Sequence, residues 1–341
     1  MRNHSLDILR ILACLMIVIM HSPMPTVGEN GLFLSSLSYL TAPGIGLFFM
    51  LSGALLLPIK TDTRTFFKKR FLKIAIPLLF WTVLYLLLLS AFRGQPVTWK
   101  TLLSIPFSAQ GNPTFWFLYT LLGLYLIAPI LSRWVQKASC REIEFFLIIW
   151  VISLCFPLLT QIVDVNTSET GILYYLSGYV GYFVLGYYLI TYPDRIPFKW
   201  LIPAVIIAYA TPIYCKLKNL PVDFYSVFWY LSIFSAIQCV FFWKLILWLT
   251  KKQEKPAVKT FFANLSMLSF GIYLVHFFII RELLWNWNFV TNLQSYYLQT
   301  TVIVVLAFLG SAAITCMIAN IPGLCYLVGF KQPFYKSYYG K

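Results

Sequence analysis

The sequence predicts an all-α integral membrane protein, a bundle of about ten transmembrane helices, on three observations. Of the 341 residues, 60% are hydrophobic and only 11% are charged, whereas soluble domains carry about 25% charged residues. Apolar stretches of roughly twenty residues, the length of a membrane-spanning helix, recur along the whole chain. A membrane barrel would instead show alternating segments of about ten residues. We expect one transmembrane domain over residues 1–341.

The predicted spans are ten apolar stretches, in chain order residues 6–22, 37–58, 74–92, 115–132, 143–162, 172–190, 200–215, 228–249, 264–285 and 297–320. Their orientation follows from the 26 Lys and Arg residues, most of which fall in alternate loops. Cytoplasmic loops are the basic ones, so both the N-terminus and the C-terminus are predicted to be cytoplasmic. The net charge of +15 then reflects topology and attraction to anionic membrane lipids, and no nucleic-acid partner is predicted.

The seven cysteines predict no special chemistry. Their number is odd, no CxxC motif occurs, and most of them lie inside apolar stretches. Such cysteines behave as small buried residues. We therefore expect neither a disulfide framework nor a metal site.

The first span, LDILRILACLMIVIMHS, carries the candidate catalytic residues Asp7, Arg10 and His21. Ionisable groups at membrane depth are costly and usually face a bundle interior or a wet cavity. On a helix Arg10 and His21 project within about 20° of one another, separated by about 16 Å along the axis. Asp7 shares their face and is expected to orient or neutralise Arg10. A neutral imidazole in apolar surroundings can act as a general base, which is the role predicted for His21.

Two further segments allow a functional and a structural interpretation. In FFMLSG, residues 48–53, Ser52 could bind a ligand, but Gly53 equally suits close helix packing. The basic segment 60–77 could mark the cytoplasmic side, contact lipid or bind phosphate groups. Its cations at the start of the third span are Lys68, Lys69, Arg70 and Lys73.

Aromatic residues and a second histidine, His276, complete the candidates. Trp116 and Tyr119 lie in TFWFLYTLLGLYLIAP, where membrane-interface aromatics are the simpler interpretation. His276 lies in SFGIYLVHFF, and a buried structural histidine is as good an interpretation there as a catalytic one.

Taken together, these segments resemble the acyltransferase-3 family of membrane acyltransferases. The resemblance rests on five segments in the family's order: LDILRILACLMIVIMH, LFFMLSGALL, the basic segment ending KKRFLKIAIP, FWFL followed by LYLIAPIL, and LSFGIYLVHFF. It extends from about Leu6 to Gly329. Within the family the chain is most similar to the short members related to the enterobacterial common antigen O-acetyltransferase.

The resemblance implies transfer of an acyl group, usually acetyl, from cytoplasmic acyl-CoA to a hydroxyl of an envelope glycan or lipid-linked saccharide. The enzyme would lie in a bacterial inner membrane, use acetyl-CoA or another acyl-CoA as donor, and need no metal. A homodimer is left open. By the resemblance His21 is the essential histidine and Arg10 its paired arginine. The residues expected to contact acyl-CoA are Ser52, Lys69, Arg70, Lys73, Tyr273 and His276. Those expected to contact the acceptor are Trp116 and Tyr119.

Two positions depart from the family pattern. Lys73 stands where members often have a second arginine, and Thr114 stands where they often have histidine.

The alternatives to an acyltransferase are a transporter or flippase of a lipid-linked sugar or small polar solute, and a glycan polymerase or ligase. Transporters often contain internal repeats and broken helices, which are not evident in this sequence. Binding and turnover of acetyl-CoA would distinguish the enzyme from a flippase.

Overall fold

The computed structural model describes residues 2–24, 31–161, 163, 178–251 and 255–339, and these residues form helices without strands. Nine of the described helices are long and apolar enough to cross a membrane. They are α1 (His4–His21), α2 (Gly31–Leu56), α3 (Thr63–Arg93), α4 (Pro113–Lys137), α5 (Cys140–Leu159), α7 (Phe198–Leu217), α8 (Tyr225–Leu249), α9 (Pro256–Asn286) and α10 (Tyr296–Asn320). The shorter helix α6 covers Tyr179–Thr191.

Several of these helices are composite. Helix α2 joins Gly31–Thr41 to Pro43–Leu56, and α3 and α9 contain π-helical turns at Phe67–Phe71 and Ile279–Leu283. Short helical segments outside the spans are Trp99–Ser104, Asn288–Thr291, the 3₁₀ turn Leu324–Val328 and Phe334–Tyr339.

The prediction of an all-α membrane bundle is confirmed, since every predicted span contains a described helix. The sixth span, predicted at 172–190, begins among residues outside the described ranges, and its described helix starts at Tyr179. The segment 93–114, predicted as a loop, contains the helix Trp99–Ser104.

Polar side chains fix where several helices begin. The Asn3 side chain accepts hydrogen bonds from the backbone N–H groups of Ser5 and Leu6 at the start of α1. Asp62 accepts one from Thr65 N (2.8 Å) before α3, which lowers the pKa of this carboxyl group. Such caps satisfy backbone donors that the first helical turn leaves unpaired.

The chain folds into two compact units, and unit 1 consists of residues 1–58 and 131–266. Within it α2 packs closely on α1 and α6. A Cβ atom on Gly186 of α6 would lie 2.5 Å from the carbonyl carbon of Met50, and one on Gly53 of α2 would lie 2.6 Å from that of Phe183. The two backbones touch at a glycine on each helix, as small residues allow in membranes.

Unit 2 consists of residues 59–130 and 267–341. Within it α3 and the part of α9 from Met267 onward are joined by polar contacts. Tyr85 Oη donates to the carbonyl of Leu274 (3.0 Å), and Arg93 pairs with Glu282 (2.6 Å) at the C-terminal ends of both helices. These contacts hold α3 against the part of α9 that carries His276.

Candidate functional site

Helix α1 places Arg10 and His21 on its packed side. Eight of its residues are buried: Leu6, Asp7, Leu9, Ala13, Cys14, Met16, Ile17 and Val18. At about 100° per residue, Arg10 and His21 project near the middle of this buried face. Both are nevertheless only half-buried. Their exposure therefore arises on the packed side of the helix, where ionisable groups in a membrane protein are expected.

The His21 ring is held by its own helix. Nδ1 lies 2.8 Å from the carbonyl oxygen of Ile17. Because a carbonyl can only accept, Nδ1 carries the proton and donates it to this bond. In the neutral ring the lone pair is then on Nε2, which is the protonation state that a general base requires.

The Asp7 carboxylate is engaged by Arg2. Arg2 Nε donates to one carboxylate oxygen (2.6 Å) and Nη2 to the other (2.8 Å), while Nη2 also donates to the carbonyl of Ala263 (2.6 Å). The bond to Ala263 ties Arg2, and through it the start of α1, to the first part of α9 inside unit 1. The expected action of Asp7 on Arg10 stays a prediction.

Two tyrosines near the end of α1 were not identified from the sequence. The Tyr230 hydroxyl lies 3.0 Å from the sulfur of Met20, the neighbour of His21. Tyr182, fully buried on α6, donates its hydroxyl proton to the carbonyl of Tyr230 (2.7 Å). In a chain with 22 tyrosines, no local pattern distinguishes these two.

Ser52 and Gly53 have separate roles in α2. Ser52 Oγ donates to the carbonyl of Phe48, one helical turn earlier, at 2.9 Å. Gly53 is at the close contact with Phe183 of α6. The structure therefore supports the packing interpretation for Gly53, and ligand binding by Ser52 stays a prediction.

The basic cluster lies on a π-helical turn of α3. Lys68, Lys69 and Arg70 belong to the turn Phe67–Phe71, and they and Lys73 are exposed. Beside them is an open groove of about 390 Å³ lined by Phe67, Lys68, Phe71, Leu72 and Leu126. An aromatic groove bordered by cations can accept a flat apolar ring that carries phosphate groups.

His276 and Tyr273 belong to a buried polar network in unit 2. His276 is fully buried, and its Nδ1 donates to the carbonyl of Tyr273 (2.7 Å). Tyr273 donates its hydroxyl proton to the carbonyl of Thr114. Thr114 donates through its own backbone N–H and its hydroxyl to Asn112 Oδ1, at 3.0 and 2.7 Å. The network includes Asn112, which the sequence did not single out.

The profile of the family described as "Acyltransferase domain" (acyltransferase-3) matches residues 3–319, nearly the whole chain. The chain belongs to the acyltransferase-3 family. It is therefore a membrane acyltransferase. Neither the curated proteins nor the solved structures contain a match to it.

The predicted site residues of this acyltransferase fall into groups within each unit. In unit 1 Asp7, Arg10 and His21 share α1, and Ser52 lies on α2. In unit 2 the structure brings Tyr273 and His276 together, with ring centroids 5.7 Å apart. The other predicted residues of unit 2 are Lys69, Arg70 and Lys73 on α3 and Trp116 and Tyr119 on α4.

Trp116 and Tyr119, the expected acceptor contacts, are both half-buried. Tyr119 donates its hydroxyl proton to the carbonyl of Ile105, and the Trp116 ring lies edge-on to Phe117. Their role toward an acceptor stays a prediction.

Proposed function

We propose that this acyltransferase transfers an acetyl group from cytoplasmic acetyl-CoA to a hydroxyl of an envelope glycan or lipid-linked saccharide. It would act in a bacterial inner membrane with both chain termini in the cytoplasm. The observation that carries the proposal is the position of His21, on the packed side of α1 with its Nδ1 proton donated to Ile17. That hydrogen bond leaves Nε2 as the basic nitrogen of the neutral ring.

In the proposed reaction His21 acts as the general base. Nε2 accepts the proton of the acceptor hydroxyl while the hydroxyl oxygen attacks the thioester carbonyl carbon. A C–O ester bond forms and the C–S bond breaks. The CoA sulfur then leaves as the thiol, taking up the proton from His21. General-base catalysis of this kind contributes about 10²–10⁴-fold in rate.

The donor is proposed to bind at the basic cluster of α3. Lys69 and Lys73 would supply point charges, and Arg70 a planar fork, for the CoA phosphates. The groove between Phe67 and Phe71 would take the adenine ring. By the positive-inside rule this end of α3 faces the cytoplasm, where acyl-CoA is available.

The first experiment separates an enzyme from a flippase. The purified protein, reconstituted in nanodiscs, should bind acetyl-CoA and release CoA when glycan from the native envelope is added. Mass spectrometry should find acetyl groups on surface glycan from cells that carry the gene and not from cells that lack it. Failure to bind acetyl-CoA, together with translocation of a lipid-linked sugar, would favour the transporter.

A further inference from the structure

Arg281 is a guanidinium group of unit 2 for which the described residues provide no hydrogen-bond acceptor. Its central carbon lies 5.1 Å from the ring centroid of Phe277 and 4.2 Å from that of Trp285. Its Nε is buried and has no hydrogen-bond partner. Among the residues that the structure describes, none accepts a hydrogen bond from any of its nitrogens. Two ring contacts stabilise the cation but leave its five N–H donors unused.

The neighbouring carboxylate cannot serve Arg281, because Arg93 already occupies it. Arg93 Nε donates to one oxygen of Glu282 (3.1 Å) and Nη2 to the other (2.6 Å). The Glu282 side chain is 11% exposed. This end of unit 2 therefore holds two guanidinium groups and one carboxylate, an excess of one positive charge.

No other acid of the same unit can neutralise this charge. The sequence of unit 2 contains two acidic residues, Asp62 and Glu282. Asp62 precedes the first residue of α3, whereas Arg93 is its last residue. The length of that helix separates them by about 45 Å. An anion from outside this unit is the group that would complete the site.

The chemistry of the site favours an oxyanion carried on a sugar. Phe277 and Trp285 lie against the guanidinium carbon, and its N–H groups, which no described residue accepts, remain for a ligand. The N–H groups of a guanidinium match the two oxygens of a carboxylate or phosphate. Farther along the chain, Trp287 and Phe289 are 49% and 57% exposed, with ring centroids 5.3 Å apart. Exposed aromatic rings a few residues after Arg281 offer a surface on which a sugar ring can pack.

We propose that Arg281 binds a carboxylate or phosphate of the acceptor, so that the acceptor is an acidic saccharide. This inference rests on the proposed function and names the class of its acceptor. A phospholipid head group offers the same oxyanion chemistry, and the experiment must distinguish the two sources.

The test measures binding of two disaccharides, glucuronosyl-glucose and its carboxyl-reduced counterpart, to the full-length protein in nanodiscs of neutral phosphatidylcholine. Wild-type protein should bind the acidic disaccharide at least about tenfold more tightly. Arg281→Gln should abolish this preference, and Arg281→Lys should reduce it, because lysine keeps the charge and loses the fork. The matched control is Lys100→Gln, an exposed cation that also lies near an aromatic ring, 5.8 Å from Trp99, and it should keep the preference.

Repeating the measurement in phosphatidylglycerol nanodiscs distinguishes the lipid source. If Arg281→Gln alters only the affinity for phosphatidylglycerol, or if Lys100→Gln has an equal effect on the disaccharides, the proposal is wrong. Equal binding of both disaccharides by the wild type also overturns it. Acetyl-CoA binding is measured in parallel. If the protein fails to bind acetyl-CoA but keeps the acidic preference, the anion site stands and the proposed function fails.

Discussion

Replacing Gly186 by alanine should destabilise unit 1 strongly. The added Cβ would lie 2.5 Å from the carbonyl carbon and 2.6 Å from the Cα of Met50. Carbon atoms in ordinary contact are about 3.5–4 Å apart, and the carbonyl oxygen of Met50 is nearer still, so α2 and α6 would have to separate by more than about 1 Å. Both obstacles are backbone atoms, and no rotamer change relieves them. Overpacking of this kind costs typically about 1–3 kcal/mol, and we expect the upper part of that range.

The matched control is Gly123→Ala in α4, where an added Cβ would meet nothing within 4 Å. Alanine there should be neutral or stabilise by up to about 1 kcal/mol, since glycine is the poorer helix former. The assay is the thermal unfolding midpoint of both variants in the same detergent at the same heating rate. A Gly186→Ala midpoint equal to that of wild type would refute the packing described for α2 and α6.

Two further predictions concern the cations. Arg70→Gln should raise the KM for acetyl-CoA about tenfold with little change in kcat, because a phosphate contact is worth about 1–2 kcal/mol. The control is Arg64→Gln, six residues earlier on α3. An equal effect of both substitutions would argue against a specific contact of Arg70. A double-mutant cycle of Arg2→Ala and Asp7→Asn, measured by SDS-induced unfolding, should give a coupling free energy of about 1 kcal/mol. Strictly additive effects of the two substitutions would mean that the ion pair contributes nothing to stability.

The helices were predictable from the sequence because hydropathy is a local property. Each predicted span contains a helix, and the boundaries differ mainly where polar caps such as Asn3 and Asp62 extend a helix beyond its apolar stretch. Helix α6 is short, yet its residues 181–189 are all buried. A helix that is apolar on every side belongs in a core, and the sequence does show that property.

The pairings between distant residues could not be predicted in the same way. The sequence identifies Gly53 as a packing candidate, but nothing local identifies the backbone of Phe183 as its partner. Helical spacing predicts an action of Asp7 on Arg10, which stays a prediction. The hydrogen bonds from Arg2 to the Asp7 carboxylate could not be predicted, because Arg2 lies outside the helix, where spacing rules do not apply. Likewise, Tyr230 approaches α1 through tertiary packing alone.

The most direct test of the proposed mechanism is the rate of radiolabelled acetyl transfer from acetyl-CoA by His21→Asn in nanodiscs. The asparagine amide can still donate to the Ile17 carbonyl but has no basic nitrogen in place of Nε2. We predict a fall of about 10²–10⁴-fold in rate, with acetyl-CoA affinity and unfolding midpoint unchanged. Transfer at the wild-type rate by a correctly folded His21→Asn protein would contradict the assignment of His21 as the base.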